Sequence, residues 1–390
     1  MKYKLASSSW DHKETDAMQK VIESGFFTMG KNVENFESLF SDFFASKYAV
    51  MVNSGSSANL LSVAALFYLK SKPLKRGDEV IVPSVSWSTT YSPLQQYGLK
   101  VKFVDISLDT LNFDTDKLKK AITEKTRLIF AVNILGNPNE FIKINNIIGD
   151  KNIYLLEDNC ESMGAKYENQ YTGTFGIAGT FSTFFSHHIS TMEGGMILTD
   201  NYELYNIMLS LRAHGWTRNL KDDNPLHNKS DDKFYESFNF ILPGYNLRPL
   251  ELSGAIGIEQ IKKLPKLIEI RRKNAELFRD LFEKNEKIII QKEIGVSSWF
   301  GFSLIINENF TSVKRDQVIN ELEKNGIETR PIVSGNFVKN KVLDFYDYEV
   351  SGDLSNSDFL DRNGFFVGNH NYDLINELKH LDNVLKRILK

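Results

Sequence analysis

Cysteine is nearly missing from this sequence: Cys160 is the single one in 390 residues. One thiol cannot build an intrachain disulfide framework, a four-cysteine zinc site or a self-contained iron–sulfur cluster. A dominant charge is missing too. Forty-seven Lys and Arg stand against 50 Asp and Glu, a net charge of −3, and that balance argues against a nucleic-acid scaffold. Long apolar runs are also lacking. The uncharged stretch from Tyr48 to Leu69 is broken by Asn53-Ser54-Gly55-Ser56-Ser57. The apolar part that follows is about a dozen residues, and a membrane span needs about 20. The opening residues, MKYKLASSSWDHKE, put charge and polarity where a secretory signal needs an apolar core. These absences predict a cytoplasmic chain whose partners include neither membrane nor nucleic acid.

What is there is ordinary globular material, 42% hydrophobic and 25% charged, which excludes a disordered or collagen-like chain. Short β-branched runs bounded by turn residues predict strands at Tyr48–Val52, Glu79–Val82, Val101–Val104, Leu128–Ile134, Ile153–Leu156, Gly179–Phe184 and Gly195–Thr199. Helical patterns lie between the early ones, at Ala58–Leu69, Tyr91–Tyr97 and Asp116–Ala121. This alternation predicts an α/β fold with a mostly parallel sheet covered on both faces. A long Lys-, Glu- and Leu-rich stretch, Glu259–Asn285, is expected to be interrupted at Pro265 and to lead out of the large domain. The predicted division is a large domain over residues 1–258 and a smaller C-terminal α+β domain over 259–390.

Six segments could carry chemistry. Asn53-Ser54-Gly55-Ser56-Ser57-Ala58-Asn59 sits between a strand and an apolar helix, where free backbone N–H groups suit a phosphate, or where a serine simply caps the helix. Trp87 follows a strand end and could stack on a planar ring, or pack on the sheet. Glu157, Asp158, Asn159 and Glu161 follow a buried strand and could meet a cationic nitrogen, or cap a helix. Ser182 and the pair His187-His188 precede Glu193-Gly194-Gly195. The histidines could supply a base, but adjacent residues of an extended segment point apart and rarely share a metal. Arg212-Ala213-His214-Gly215-Trp216-Thr217-Arg218 and Gly244-Tyr245-Asn246-Leu247-Arg248-Pro249 carry arginines in glycine-bearing loops, suited to carboxylates and phosphates. Each segment is weak alone.

Taken in order, they give the chain its resemblance to the sugar aminotransferase/dehydratase family of pyridoxal-phosphate enzymes, which act on nucleotide-linked keto sugars. The likeness runs from Leu5-Ala6-Ser7 to Arg330-Pro331-Ile332-Val333 and beyond. It implies the fold type I transferase architecture and a homodimer with shared active sites. It assigns Gly55, Ser56 and Ser182 to the cofactor phosphate, Trp87 to the pyridine ring and Asp158 to its nitrogen. Glu161 would lie on the cofactor side, and Asn246 would reach the phosphate from the neighbouring subunit. Arg218, Arg248 and Arg330 are candidates for nucleotide diphosphate or glutamate carboxylate.

One departure sets the expected reaction. Family aminotransferases carry Lys-Asn-Ile-Thr-Thr-Gly-Glu-Gly-Gly around the lysine that binds the cofactor. Counting back from Gly194-Gly195, that lysine falls on His187, and no lysine lies between Lys166 and Lys221. An imidazole makes no stable covalent link to the cofactor but can still move protons, with an ordinary pKa of about 6.5. The resemblance therefore implies a C3-dehydratase. It would hold pyridoxal or pyridoxamine 5'-phosphate non-covalently, with His187 as base and L-glutamate as amino donor. Its substrate would be a GDP-linked 4-keto-6-deoxy sugar, a mannose or a related heptose. The setting would be deoxysugar synthesis for a surface polysaccharide, of the colitose kind. The competing expectations are a 4-aminotransferase, which the missing lysine opposes, and an iron–sulfur-dependent dehydratase, which the single cysteine opposes. An inactive sugar-nucleotide-binding regulator is a third.

Overall fold

The computed structural model describes residues 2–390. Its frame is an eight-stranded sheet built from β1 (Tyr48–Val52), β2 (Glu79–Pro83), β3 (Lys100–Val104), β4 (Thr126–Val132) and β5 (Tyr154–Asp158). After a small hairpin of β6 (Lys166–Tyr167) and β7 (Gln170–Tyr171) come β8 (Ala178–Ser182) and β9 (Gly195–Thr199). A second, three-stranded sheet takes β10 (Ile288–Ile290), β11 (Gly301–Ile306) and β13 (Gly364–Gly368). The remaining strand, β12 (Tyr348–Val350), returns to the edge of the large sheet, whose order is β1-β9-β8-β5-β4-β2-β3-β12. Only β9 runs against its neighbours; every other pairing in that sheet is parallel.

The expected mostly parallel sheet is therefore present, and its strands other than the edge strand β12 are buried through most of their length, as sheets covered on both faces require. Predicted strands Tyr48–Val52 and Gly195–Thr199 match the observed spans. Ile134, expected at the end of a strand, lies instead in a 3₁₀ turn with Leu135 at φ 53°. Two corrections come from the C-terminal third. Pro265 interrupts nothing: one helix runs from Glu251 to Phe282, about 48 Å at 1.5 Å per residue. Proline removes one backbone bond, but Ile261, Leu264, Leu267 and Ile268 are buried around it against Phe36 and Phe40, and that packing holds the helix together. The second is β12, which no periodicity announced.

The helix Glu251–Phe282 contains the expected division at 258/259. It gives Leu264, Leu267 and Ile268 to the core of the large body. It gives Ala275, Phe278 and Phe282 to that of the smaller one. The chain's beginning also belongs to the smaller body: Tyr3 is fully buried there, and its hydroxyl donates to the Gly368 carbonyl at 2.6 Å.

Candidate active site

The ends of β5 and β8, the starts of the helices Gly55–Leu66 and Ser88–Gln96, and the loop 183–194 enclose a cavity of about 540 Å³. The segments around Phe300 and Arg330 close it from the smaller body. Sheets of this kind place ligands at their carboxyl ends.

The helix from Gly55 is capped by Ser54, whose side chain accepts from the Ser57 N–H at 3.1 Å. The cap reading and the phosphate reading are compatible, because the cap leaves Gly55 and Ser56 facing the cavity. Gly55 is needed for space: a Cβ there would stand 2.8 Å from Ser182 Cβ and 3.1 Å from Cys160 Sγ. Ser56 and Thr89 share a hydroxyl hydrogen bond of 2.8 Å, and Ser182 faces the same space. Free N–H groups at a helix start beside three hydroxyls make a cradle for an anion.

Asp158 ends β5 at the cavity wall. Its Oδ2 accepts from Asn59 Nδ2 at 2.8 Å and Thr90 Oγ1 at 2.7 Å, and its Oδ1 accepts from the Cys160 N–H at 3.2 Å. Thr180 in turn donates to Asn59 Oδ1, which fixes that amide. The carboxylate is thus held rigidly with acceptor capacity left on Oδ1. Asn59 ends the first of the six segments, but neither it nor Thr90 was given a role from sequence, although an asparagine alone on an apolar helix was a usable signal: buried amides need partners. Trp87 does not pack on the sheet; it is 59% exposed and lines the cavity.

The loop 183–194 carries His187. Thr183 and Thr191 close its neck through their hydroxyls at 2.6 Å and through the Thr191 N–H to the Thr183 carbonyl at 2.8 Å. A Cβ at Gly194 would collide with both hydroxyls, and one at Gly195 with the Ser54 carbonyl. The Gly-Gly pair is thus a requirement of close approach. His187 lines the cavity, and its ring centroid is 5.1 Å from that of Phe300. Its pKa is not the ordinary one expected. Burial and the Arg271 charge push it down to about 4, against the pull of the Phe184 carbonyl. His187 is therefore neutral at physiological pH.

Glu161 faces the same cavity and accepts the Leu135 N–H at 3.0 Å. Burial and the nearby Asp158 raise its pKa to about 7, against the hydrogen bond. Cys160 also lines the cavity, but burial and Asp158 push its thiol well up, so it stays a thiol and not a nucleophile. No lysine is among the lining residues.

Arg330 is brought to the cavity rim, exposed. Arg218, Arg248 and Asn246 are not. Arg218 lies over the Trp216 ring at 4.0 Å, Arg248 approaches the same ring at 5.7 Å, and Arg248 Nε donates to Asn246 Oδ1 at 3.0 Å. They form a separate cluster beside Phe238 and Phe240, both more than half exposed.

The profile of the DegT/DnrJ/EryC1/StrS aminotransferase family matches residues 8–371. The chain belongs to that family. A member from Yersinia pseudotuberculosis, GDP-4-keto-6-deoxy-D-mannose 3-dehydratase, is 59% identical over 387 residues, covering 99% of this chain and 98% of that one. Two solved structures of GDP-4-keto-6-deoxymannose-3-dehydratase are each 58% identical and superpose with a TM-score of 0.97. One is a histidine-to-asparagine variant with bound GDP-perosamine, covering 98% of this chain and 100% of its own. The other holds a trapped PLP-glutamate geminal diamine and covers the whole of both chains. The family's fold is the one observed here. The anion cradle, the anchored carboxylate and the free indole together fit a pyridoxal-phosphate cofactor.

Proposed function

We propose that this chain is a pyridoxal-phosphate-dependent C3-dehydratase of a GDP-linked 4-keto-6-deoxy sugar, with L-glutamate as co-substrate. The observation that carries this reading is a neutral histidine, His187, at a cofactor-sized cavity that no lysine lines. The relatives named above are enzymes of this reaction.

The cofactor, when bound, supplies an electron sink and carries an amino group from glutamate to the sugar's C4. Gly55, Ser56 and Ser182 would hold its phosphate, Trp87 would cover its ring, and Asp158 would pair with the ring nitrogen. Glu161 stands on the same side. His187 takes a proton as base and returns one to the departing C3 hydroxyl. A single imidazole can do both because it cycles between neutral and charged forms. Glutamate provides the two electrons that replace the C3 hydroxyl by hydrogen. The products are the 4-keto-3-deoxy sugar nucleotide, 2-oxoglutarate and ammonia, and atoms balance without added water. Arg330, at the cavity rim, would meet the diphosphate or a glutamate carboxylate.

The same reading includes a homodimer acting in the cytoplasm, in a deoxysugar pathway for a surface polysaccharide. Asn246, Arg218 and Arg248 would serve the neighbour's cavity. Their absence from the lining of their own cavity and the exposed aromatics around them support this. Residues 1–258 hold the cofactor in this scheme, and 259–390 bring Arg330.

The test is product analysis. The enzyme is incubated with glutamate and GDP-4-keto-6-deoxymannose, or its one-carbon-longer heptose analogue. Ammonia and 2-oxoglutarate in equal amounts with a 3-deoxy product are expected; an amino sugar would overturn the reading. H187N should bind cofactor yet lose C3 deoxygenation, by at least about 10². H187K should hold the cofactor covalently after borohydride treatment.

A further inference from the structure

His188 follows the base directly, yet nothing in the proposed reaction uses it. Its ring is buried, 1% exposed, and its Nε2 lies 3.1 Å from the Ser298 carbonyl oxygen. A carbonyl only accepts, so Nε2 must carry the proton and Nδ1 must be bare. That Nδ1 is itself buried with no partner. A proton arriving there would meet no acceptor. It would also be opposed by Arg271 and Arg272 from the long helix and by His187 from its own loop.

The carbonyl it binds belongs to an unusual segment. Residues 297–300 form no helix or strand, but four successive carbonyls are each taken by a different side chain. Arg272 Nε donates to Ser297 at 2.9 Å and His188 to Ser298. Asn369 Nδ2 donates to Trp299 at 2.9 Å and Arg271 to Phe300 at 3.1 Å. On the other side, the N–H groups of Ser298 and Phe300 donate to Gly136 and Leu135 at 2.9 and 3.0 Å. Trp299 is held at φ 49°, a conformation that tryptophan adopts only when its surroundings impose it. Gly136 permits this approach, since a Cβ there would run into the Trp299 backbone. The segment's product is the placement of Phe300, whose ring lies 5.1 Å from His187 and 5.9 Å from His188, centroid to centroid.

We propose that His188 is a positioning residue: its Nε2–H bond to Ser298 ties the loop of the base to the 297–300 seam and fixes Phe300 against the His187 ring. It carries no proton in the reaction. The other three side chains hold the seam to the helix and to the end of β13; His188 alone among the four ties it to the base's loop. Misplacing a base by about 1 Å can cost about 10²-fold in rate, so an anchor one residue away has a direct route to kcat.

This rests on His187 being the base. Normal turnover by H187N would sink that assignment while leaving the His188 tautomer untouched. The first test uses the unmodified protein. Nitrogen-15 NMR of its imidazoles between about pH 6 and pH 9 should show His188 as the Nε2–H tautomer throughout. The Nδ1–H form, or proton uptake in that range, would overturn the proposal. The second test compares two variants. H188Q keeps an N–H at similar reach without a titrating ring, and its kcat should stay within about threefold of the parent. H188F keeps a ring without the donor. It should lose at least about tenfold in kcat with KM for the sugar nucleotide within about twofold, and its His187 resonance should move. A glutamine variant as poor as H188F, or an H188F equal to the parent, would remove the role. Should H188F not fold, the tautomer and H188Q still decide.

Discussion

Glu157 and Asp158 are consecutive residues of β5, both buried, and strand geometry sends them to opposite faces of the same sheet. On one face Glu157 is saturated. Its two oxygens accept the N–H groups of Gly173 and Phe175, both at 2.6 Å, and of Gly176 at 3.0 Å. Burial still lifts its pKa to about 7. On the other face Asp158 is fixed by Asn59 and Thr90 on one oxygen, while the other has only the Cys160 N–H and an open cavity beyond. Burial and charge are alike in the two; unspent acceptor capacity facing a void is not. Glu161 repeats the lesson, with a pKa as raised as that of Glu157 but one backbone partner and a place in the cavity wall.

The difference can be broken from either side. The largest effect is expected from D158N. It should lower turnover by about 10²–10³, as loss of a charge aimed at the reacting system does. It should release cofactor on dialysis, followed by absorbance, and lower the stability of the cofactor-free protein by only about 1 kcal/mol. E157Q should do the reverse. An amide nitrogen set against backbone N–H groups leaves donors facing a donor, a loss of about 2–3 kcal/mol by urea unfolding. Turnover of the folded fraction should stay within about threefold. If E157Q abolished turnover in fully folded protein, the division between the two faces would fail.

The smallest effect is on pH dependence, and its sign differs between residues. Glu161 has a folded pKa of about 7 against 4.5 for the free group. It therefore contributes stability below about pH 4.5 that is lost as pH rises through about 7. His187 has about 4 against 6.5. Its contribution is present above about pH 6.5 and is lost as pH falls through about 4. Between pH 5 and pH 7.5, E161Q should flatten the decline of stability toward alkali, and H187N the decline toward acid. Urea unfolding of both at the two pH values is the measurement, and shifts in the same direction would contradict the assignment.

Much of this was legible from residues alone, for identifiable reasons. Buried strands such as Tyr48–Val52 announce themselves because both faces are apolar. That Gly55, Trp87, Asp158 and His187 come to one cavity was readable because small residues, one indole, one acid and one missing lysine come in a fixed order. What escaped depends on contacts far apart in sequence. Nothing local marks Tyr348–Val350 as a strand. It is held to the sheet by Lys102, buried between Glu79 and Glu349. Pro265 misled because tertiary packing outweighs one lost backbone bond. The pKa of His187 was invisible because its causes, burial first and the Arg271 charge second, come from segments far away in sequence.

The chain's return to its own beginning sets an order of events during synthesis. Tyr3 waits for its partners until Gly326, Glu328 and Gly368 have been made. The large sheet lacks its last strand until Val350 has been added. At about 5–20 residues per second, the stretch from Ser182 to Val350 takes roughly 8 to 34 seconds, in which a ribosome-bound chain carries the anion cradle but neither edge strand β12 nor a closed smaller body. The buried face of the opening segment must be shielded for that time, because the residues that cover it are among the last to be made.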